Sequence, residues 1–84
     1  MTWHVAWRRS ARNDLATLWL DPSSRSAITA AANRIDFLLA RDPEGVGESR
    51  DNDRHILIEL PLAVIYKIKP AERKVIVVRV WRIS

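Results

Sequence analysis

The side chains able to do polar chemistry are few, and most of them are arginines. Arg50 and Arg54 flank the start of one β-branched run, and Arg79 and Arg82 lie near the end of another. If those runs are antiparallel neighbours, the four guanidinium groups converge. They could then stabilise charge developing on a phosphate, as cleavage through a ribose 2′-hydroxyl requires. That reaction also needs a proton acceptor and a donor, and no such pair is evident. His4 and His55 are the only imidazoles, and neither has a partner at metal-ligand spacing. Glu59 shares a strand face with His55, but four residues of strand separate them by roughly 13 Å, too far for a hydrogen-bonded acid and base. The catalytic candidates are therefore Arg54, Arg82 and His55, although a histidine so placed is more often an ordinary, partly buried one. The arginines have a structural alternative as a solvated rim or as ion-pair partners of Glu48, Asp51 and Asp53. Gly45-Val46-Gly47 is too short for a dinucleotide fingerprint and lacks the lysine of a phosphate loop, so it reads as loop. The absence of cysteine excludes disulfides and thiolate metal sites, and no metal or cofactor is expected.

The elements that must position these groups divide the chain in two. Trp3 to Trp7 reads as a short strand with Trp3, Val5 and Trp7 on one face. Ser10 suits the N-cap of a helix carrying Ala11, Leu15 and Leu18 and ending near Leu20. Asp21-Pro22 breaks that helix and starts a second, in which Ile28, Ala31, Ala32, Ile35, Leu38 and Leu39 recur at spacings of three and four. Asp42-Pro43 ends it, and residues 44–53 form a polar loop, long for so small a domain. Three strands follow, at His55–Glu59, Leu62–Ile68 and Lys74–Arg82, joined at Pro61 and at Lys69–Arg73. The fold class is thus α+β: an N-terminal strand, a helical hairpin and an antiparallel three-stranded meander, in one domain spanning residues 1–84.

The three strands do not alternate as a half-wet antiparallel sheet should. Strict alternation would put Ile56, Ile58, Ala63, Ile65, Val75, Val77 and Trp81 on one face. Leu57, Leu62, Val64, Tyr66, Ile68, Ile76, Val78 and Val80 would share the other. Two helices cover only one such face, with Leu15, Leu18, Ile28, Ile35 and Leu38 expected against Val64, Tyr66, Ile76 and Val78. The other is left as an apolar patch edged by Arg54, Lys67, Arg79 and Arg82, which points to a binding partner or a homodimer. The chain is basic, at +4 with 14 Lys and Arg against 10 Asp and Glu. Its excess of Arg over Lys suits bidentate contact with phosphate or carboxylate, although a GC-rich genome also raises Arg. No segment has the length and character of a signal peptide or a membrane span, so a cytoplasmic protein with no membrane contact is expected.

In order and spacing, several segments together resemble the RelE/ParE superfamily, the toxins of type II toxin–antitoxin modules. They are Ala11-x-x-Asp14-Leu15-x-x-Leu18-Trp19, Ile35-Asp36-Phe37-Leu38-Leu39 before Asp42-Pro43, and Gly47-Glu48-Ser49-Arg50. Arg54 with Ile56 to Ile58, Pro61-Leu62-Ala63-Val64-Ile65-Tyr66, and Val77-Val78-Arg79-Val80-Trp81 complete the set. The resemblance spans essentially the whole chain. It implies both helices on one sheet face, growth inhibition and plasmid stabilisation. It also implies a cognate antitoxin whose acidic, partly disordered tail folds over the open face. The RelE branch cleaves ribosome-bound mRNA without a metal, using basic residues on the open face and a C-terminal tyrosine. Here Ala63 stands where that branch usually has an arginine, and the chain given ends at Arg82-Ile83-Ser84 without the tyrosine. Val78-Arg79-Val80-Trp81 instead is similar to the closing strand of the ParE branch, which inhibits DNA gyrase and is not known as hydrolytic. The expected target or antitoxin surface is Arg50, Arg54, Ile56, Ile65, Lys67, Val77, Arg79, Trp81 and Arg82. The alternatives are a metal-independent endoribonuclease acting on the ribosome and its mRNA, and a basic binding module without toxicity.

Overall fold

In a computed structural model describing residues 2–83, the alternation of Trp3, Val5 and Trp7 produces the strand β1 (His4–Trp7), and the chain then turns at once into α1 (Arg9–Leu18). A 3₁₀ turn (Pro22–Ser24) leads to α2 (Arg25–Arg41), the one-turn α3 (Pro43–Val46) and β2 (Glu48–Arg50). After these come β3 (Arg54–Glu59), β4 (Leu62–Lys69), a second 3₁₀ turn (Pro70–Glu72) and β5 (Lys74–Arg82). The strands form one sheet in the order β1-β5-β4-β3-β2, antiparallel except where β1 runs parallel to β5. The α+β class, the helical hairpin and the β3–β4–β5 meander are as expected.

The expected polar loop at 44–53 is instead α3 and a fifth strand. Pro43 takes the first position of α3, and the Asp42 carboxylate accepts a hydrogen bond from the Gly45 N–H at 3.1 Å. Pairing of Glu48–Arg50 with Ile56–Arg54 then turns exposed polar residues into an edge strand. A short, charged edge of this kind resists pairing with other chains. Asn52 and Asp53 close the β2–β3 turn at φ 65° and 59°, the left-handed region that short polar side chains tolerate.

Ser10 is not the N-cap. It lies inside the first turn of α1, because the Arg8 N–H is still bonded to the Val77 carbonyl (2.9 Å) and the helix begins directly after it. The Ser10 hydroxyl donates instead to the Val78 carbonyl at 2.7 Å. Asp21 caps the 3₁₀ turn by accepting from the Ser23 N–H at 3.1 Å, so Pro22 starts this turn and not α2 itself.

The core lies between the helices and one sheet face. Ile28, Ile35 and Leu39 of α2 pack with Leu57, Leu62, Val64, Tyr66, Val75, Val77 and Val80. Burying each large side chain of this set contributes about 1.5–3 kcal/mol relative to exposure. The membership of β5 differs from strict alternation. Ile65 pairs with Arg79 but Tyr66 pairs with Val77, so Val78 is an extra residue in a β-bulge. Across the bulge the alternation restarts, which places Val75 and Val77 with Val80 on the covered face. Ile76, expected against the helices, stands with Arg79 and Trp81 on the open face.

Candidate functional site on the open sheet face

The register arranges the open face in rows. Arg50, Arg54, Lys67, Ile76 and Ala6 are successive partners across all five strands, and Lys69, Lys74 and His4 form the next row toward one end. Toward the other end lie Glu48, Ile56, Ile65 and Arg79, then Ile58, Ala63 and Trp81. The face is therefore basic at one end and apolar at the other. Ile58 is 56% exposed and Trp81 37%, while Ala63 between them is 1% exposed and leaves a flat seat.

Of the four arginines Arg50, Arg54, Arg79 and Arg82, three are engaged: Arg50, Arg79 and Arg82. Arg79 makes a two-pronged ion pair with Asp14 of α1, Nε to Oδ2 at 2.7 Å and Nη2 to Oδ1 at 3.0 Å. Asp14 Oδ2 also accepts from the Val80 N–H at 3.0 Å. Ser10 and Asp14, one helical turn apart, thus satisfy the edge of β5 where β1 has ended. The Arg79 guanidinium and the Val80 N–H hold the Asp14 carboxyl below its ordinary value, against a smaller opposing effect of burial. Arg50 pairs with Glu48 at 3.1 Å. Arg54 and Lys67 carry no ion pair among the described residues, so their charge is available to a partner.

The other expected site residues lie elsewhere. Val77 is fully buried against the helices, a correction imposed by the bulge. Arg82 is on the covered side as the partner of Leu62, and its Nη1 donates to Ser24 Oγ at 2.7 Å. His55 is also on the covered side, stacked on Tyr66 with ring centres 5.2 Å apart, and its Nδ1 has no hydrogen-bond partner. Arg54 and Arg82 lie on opposite faces, and their partners on β4 are five residues apart, roughly 17 Å of strand. The three catalytic candidates do not converge. No cluster of three His, Asp or Glu able to hold a metal occurs among the described residues.

Sequence reasoning left Ile58 and Ile76 out of the site, and with them the Lys69, Lys74 and His4 row. The Lys69 and Lys74 pair was readable as the two ends of a tight hairpin, whereas Ile76 was hidden by the bulge. No helix among the described residues is long and apolar enough to cross a membrane.

The fold superposes on chains of solved toxin–antitoxin complexes. A chain of the RelBE2 toxin–antitoxin complex from Mycobacterium tuberculosis superposes with a TM-score of 0.82 at 22% identity, over 98% of this chain and 92% of that one. The chromosomal ParDE system of P. aeruginosa gives 0.79 at 16% identity, over 98% and 97% of the two chains. The archaeal RelE–RelB complex from Pyrococcus horikoshii gives 0.68 at 12% identity, over 100% and 98%. The chain shares its fold with these chains. Neither a protein-family model nor a curated protein matches the chain.

Proposed function

We propose that this chain is the toxin of a type II toxin–antitoxin module, inhibits a topoisomerase of the gyrase type by binding, and is neutralised by an antitoxin that covers the open sheet face. The observation that carries the reading is the two-part open face. Its apolar end is too exposed to be core, and its basic end holds Arg54 and Lys67, which carry no ion pair among the described residues. An acidic tail with apolar anchors complements both ends, and folding on contact suits a disordered segment. Non-hydrolytic action is supported by the dispersal of Arg54, His55 and Arg82 and by Ala63 at the seat of the face. One observation favours the second reading, a ribosome-dependent endoribonuclease: the open face carries a carboxylate, Glu48, beside the Arg50 and Arg54 row.

The test is induced expression with and without the product of the adjacent reading frame, with DNA supercoiling and mRNA cleavage read separately. Growth arrest relieved by the neighbour, with supercoiling lost and mRNA intact, is the expected result. Ribosome-dependent cleavage that falls on the order of 100-fold in Arg54→Ala would replace it with the ribonuclease reading.

A further inference from the structure

In the two rows at the apolar end of the open face, Arg79 is the only cation. Its companions are Ile56, Ile65, Ile58, Ala63 and Trp81, with Glu48 at the far edge. An arginine left to itself there would sample many rotamers, and ordering it against a partner would cost affinity. Asp14 removes that freedom. Its carboxylate accepts from Arg79 Nε at 2.7 Å and from Nη2 at 3.0 Å, and Oδ2 is anchored in turn by the Val80 N–H at 3.0 Å. Asp14 stands on α1 with its side chain only 18% exposed, so the anchor is rigid.

The Arg79 side chain nonetheless stays 59% exposed, and no hydrogen bond takes its Nη1 among the described residues. A guanidinium is planar, so fixing the Nε edge also fixes the direction of the Nη1–Nη2 edge. That second edge is a fork ready for another pair of oxygens. The Asp14 charge opposes the arrival of an anion, but on a side open to water this effect is screened, and the gain from fixed geometry is the larger. A nucleic-acid backbone repeats its charge and calls for cations in succession, whereas Ile65, Ile58 and Trp81 are apolar. A single carboxylate in an apolar interface fits better, and arginine and tryptophan are frequent anchors of such interfaces.

We infer that Asp14 is a positioning residue of the open face: from the edge of β5 it holds Arg79 so that the outer edge of the guanidinium receives a carboxylate of the protein target beside Trp81. The inference rests on the toxin reading above, and it gives α1 a part in target binding without direct contact. Ser10 provides the control. One turn away on α1 it seals the same strand edge through the Val78 carbonyl, with no bond to Arg79.

Binding to purified DNA gyrase is measured by titration calorimetry, with and without DNA, for the wild-type chain, Asp14→Asn, Arg79→Ala, the double variant and Ser10→Ala. Arg79→Ala should weaken binding by about 30-fold or more, and Asp14→Asn by about threefold to tenfold. The double variant should bind no more weakly than Arg79→Ala, because Asp14 acts through the arginine. Ser10→Ala should lower the unfolding midpoint and bind as wild type. Losses that add in the double variant, or a Ser10→Ala that weakens binding as Asp14→Asn does, reduce Asp14 to sealing the strand edge; they overturn the inference and leave the toxin reading standing. Asp14→Asn binding as tightly as wild type, or more so, overturns it equally. Binding that requires DNA, with a salt dependence lowered in Arg79→Ala, assigns the fork to a phosphate and overturns the carboxylate. Absence of binding by the wild type under both conditions overturns the gyrase reading and the inference together.

Discussion

Tyr66 is fully buried at the end of β4 nearest α3, and its hydroxyl donates to the Pro43 carbonyl at 2.7 Å. Burial, with a smaller effect of the Asp42 charge, pushes its pKa up to about 12, so it remains a neutral donor. Gly47 is required beside it, because a methyl group there would overlap the Tyr66 hydroxyl and press on the Ile56 carbonyl. Gly47→Ala should destabilise the chain by about 1–3 kcal/mol in urea unfolding. In a Tyr66→Phe background that penalty should shrink, because the hydroxyl is gone, although Tyr66→Phe alone leaves Pro43 unpaired and costs about 1–3 kcal/mol. Asp14 gives a pH-dependent counterpart. Its folded pKa lies below the ordinary 3.8, so its contribution to stability is complete above that value and is lost as the pH falls through the lowered one. The difference in unfolding midpoint between wild type and Asp14→Asn should be constant from neutrality down to about pH 5 and shrink below pH 4. The Asp14–Arg79 pair was not legible in the sequence, because its members are 65 residues apart and the bulge decides where Arg79 points.

The elements were more legible than their register. Periods of three and four marked both helices, and the turn residues Asp21-Pro22, Asp42-Pro43 and Pro61 marked real boundaries. β2 was missed because Glu48-Ser49-Arg50 has no strand pattern; it is a strand only because β3 offers it an edge. The bulge was missed for a different reason. Val75, Ile76, Val77 and Val78 are apolar in succession, so no change of alternation is visible when one of them is extra. The basic and apolar ends of the open face could therefore be read only in outline. Because Val78 is the extra residue, deleting it should leave Val75, Val77 and Val80 alternating with Ile76, Arg79 and Trp81 on their present faces. A cooperative thermal transition by circular dichroism, its midpoint lowered by loss of the buried Val78 side chain, is the expected outcome, and loss of that transition would count against this register.

For the whole molecule, the separation of charge from apolar surface on one face divides the kinetics of association. Lys69→Glu with Lys74→Glu should slow capture of the antitoxin proposed above by about tenfold at low salt, with little effect on dissociation. Trp81→Ala should act mainly on dissociation, at about 2 kcal/mol or more if Trp81 anchors the apolar end. Stopped-flow mixing at two salt concentrations separates the effects. The parallel pairing of β1 carries a consequence of another kind. His4–Trp7 have no neighbour in the sheet except Lys74–Val77, so β1 has no strand to dock on until residues 74–77 have been made. Pairing across so long a stretch of chain makes closure of the sheet a non-local step. The rows of the open face that cross β1 and β5 become one surface only after that step.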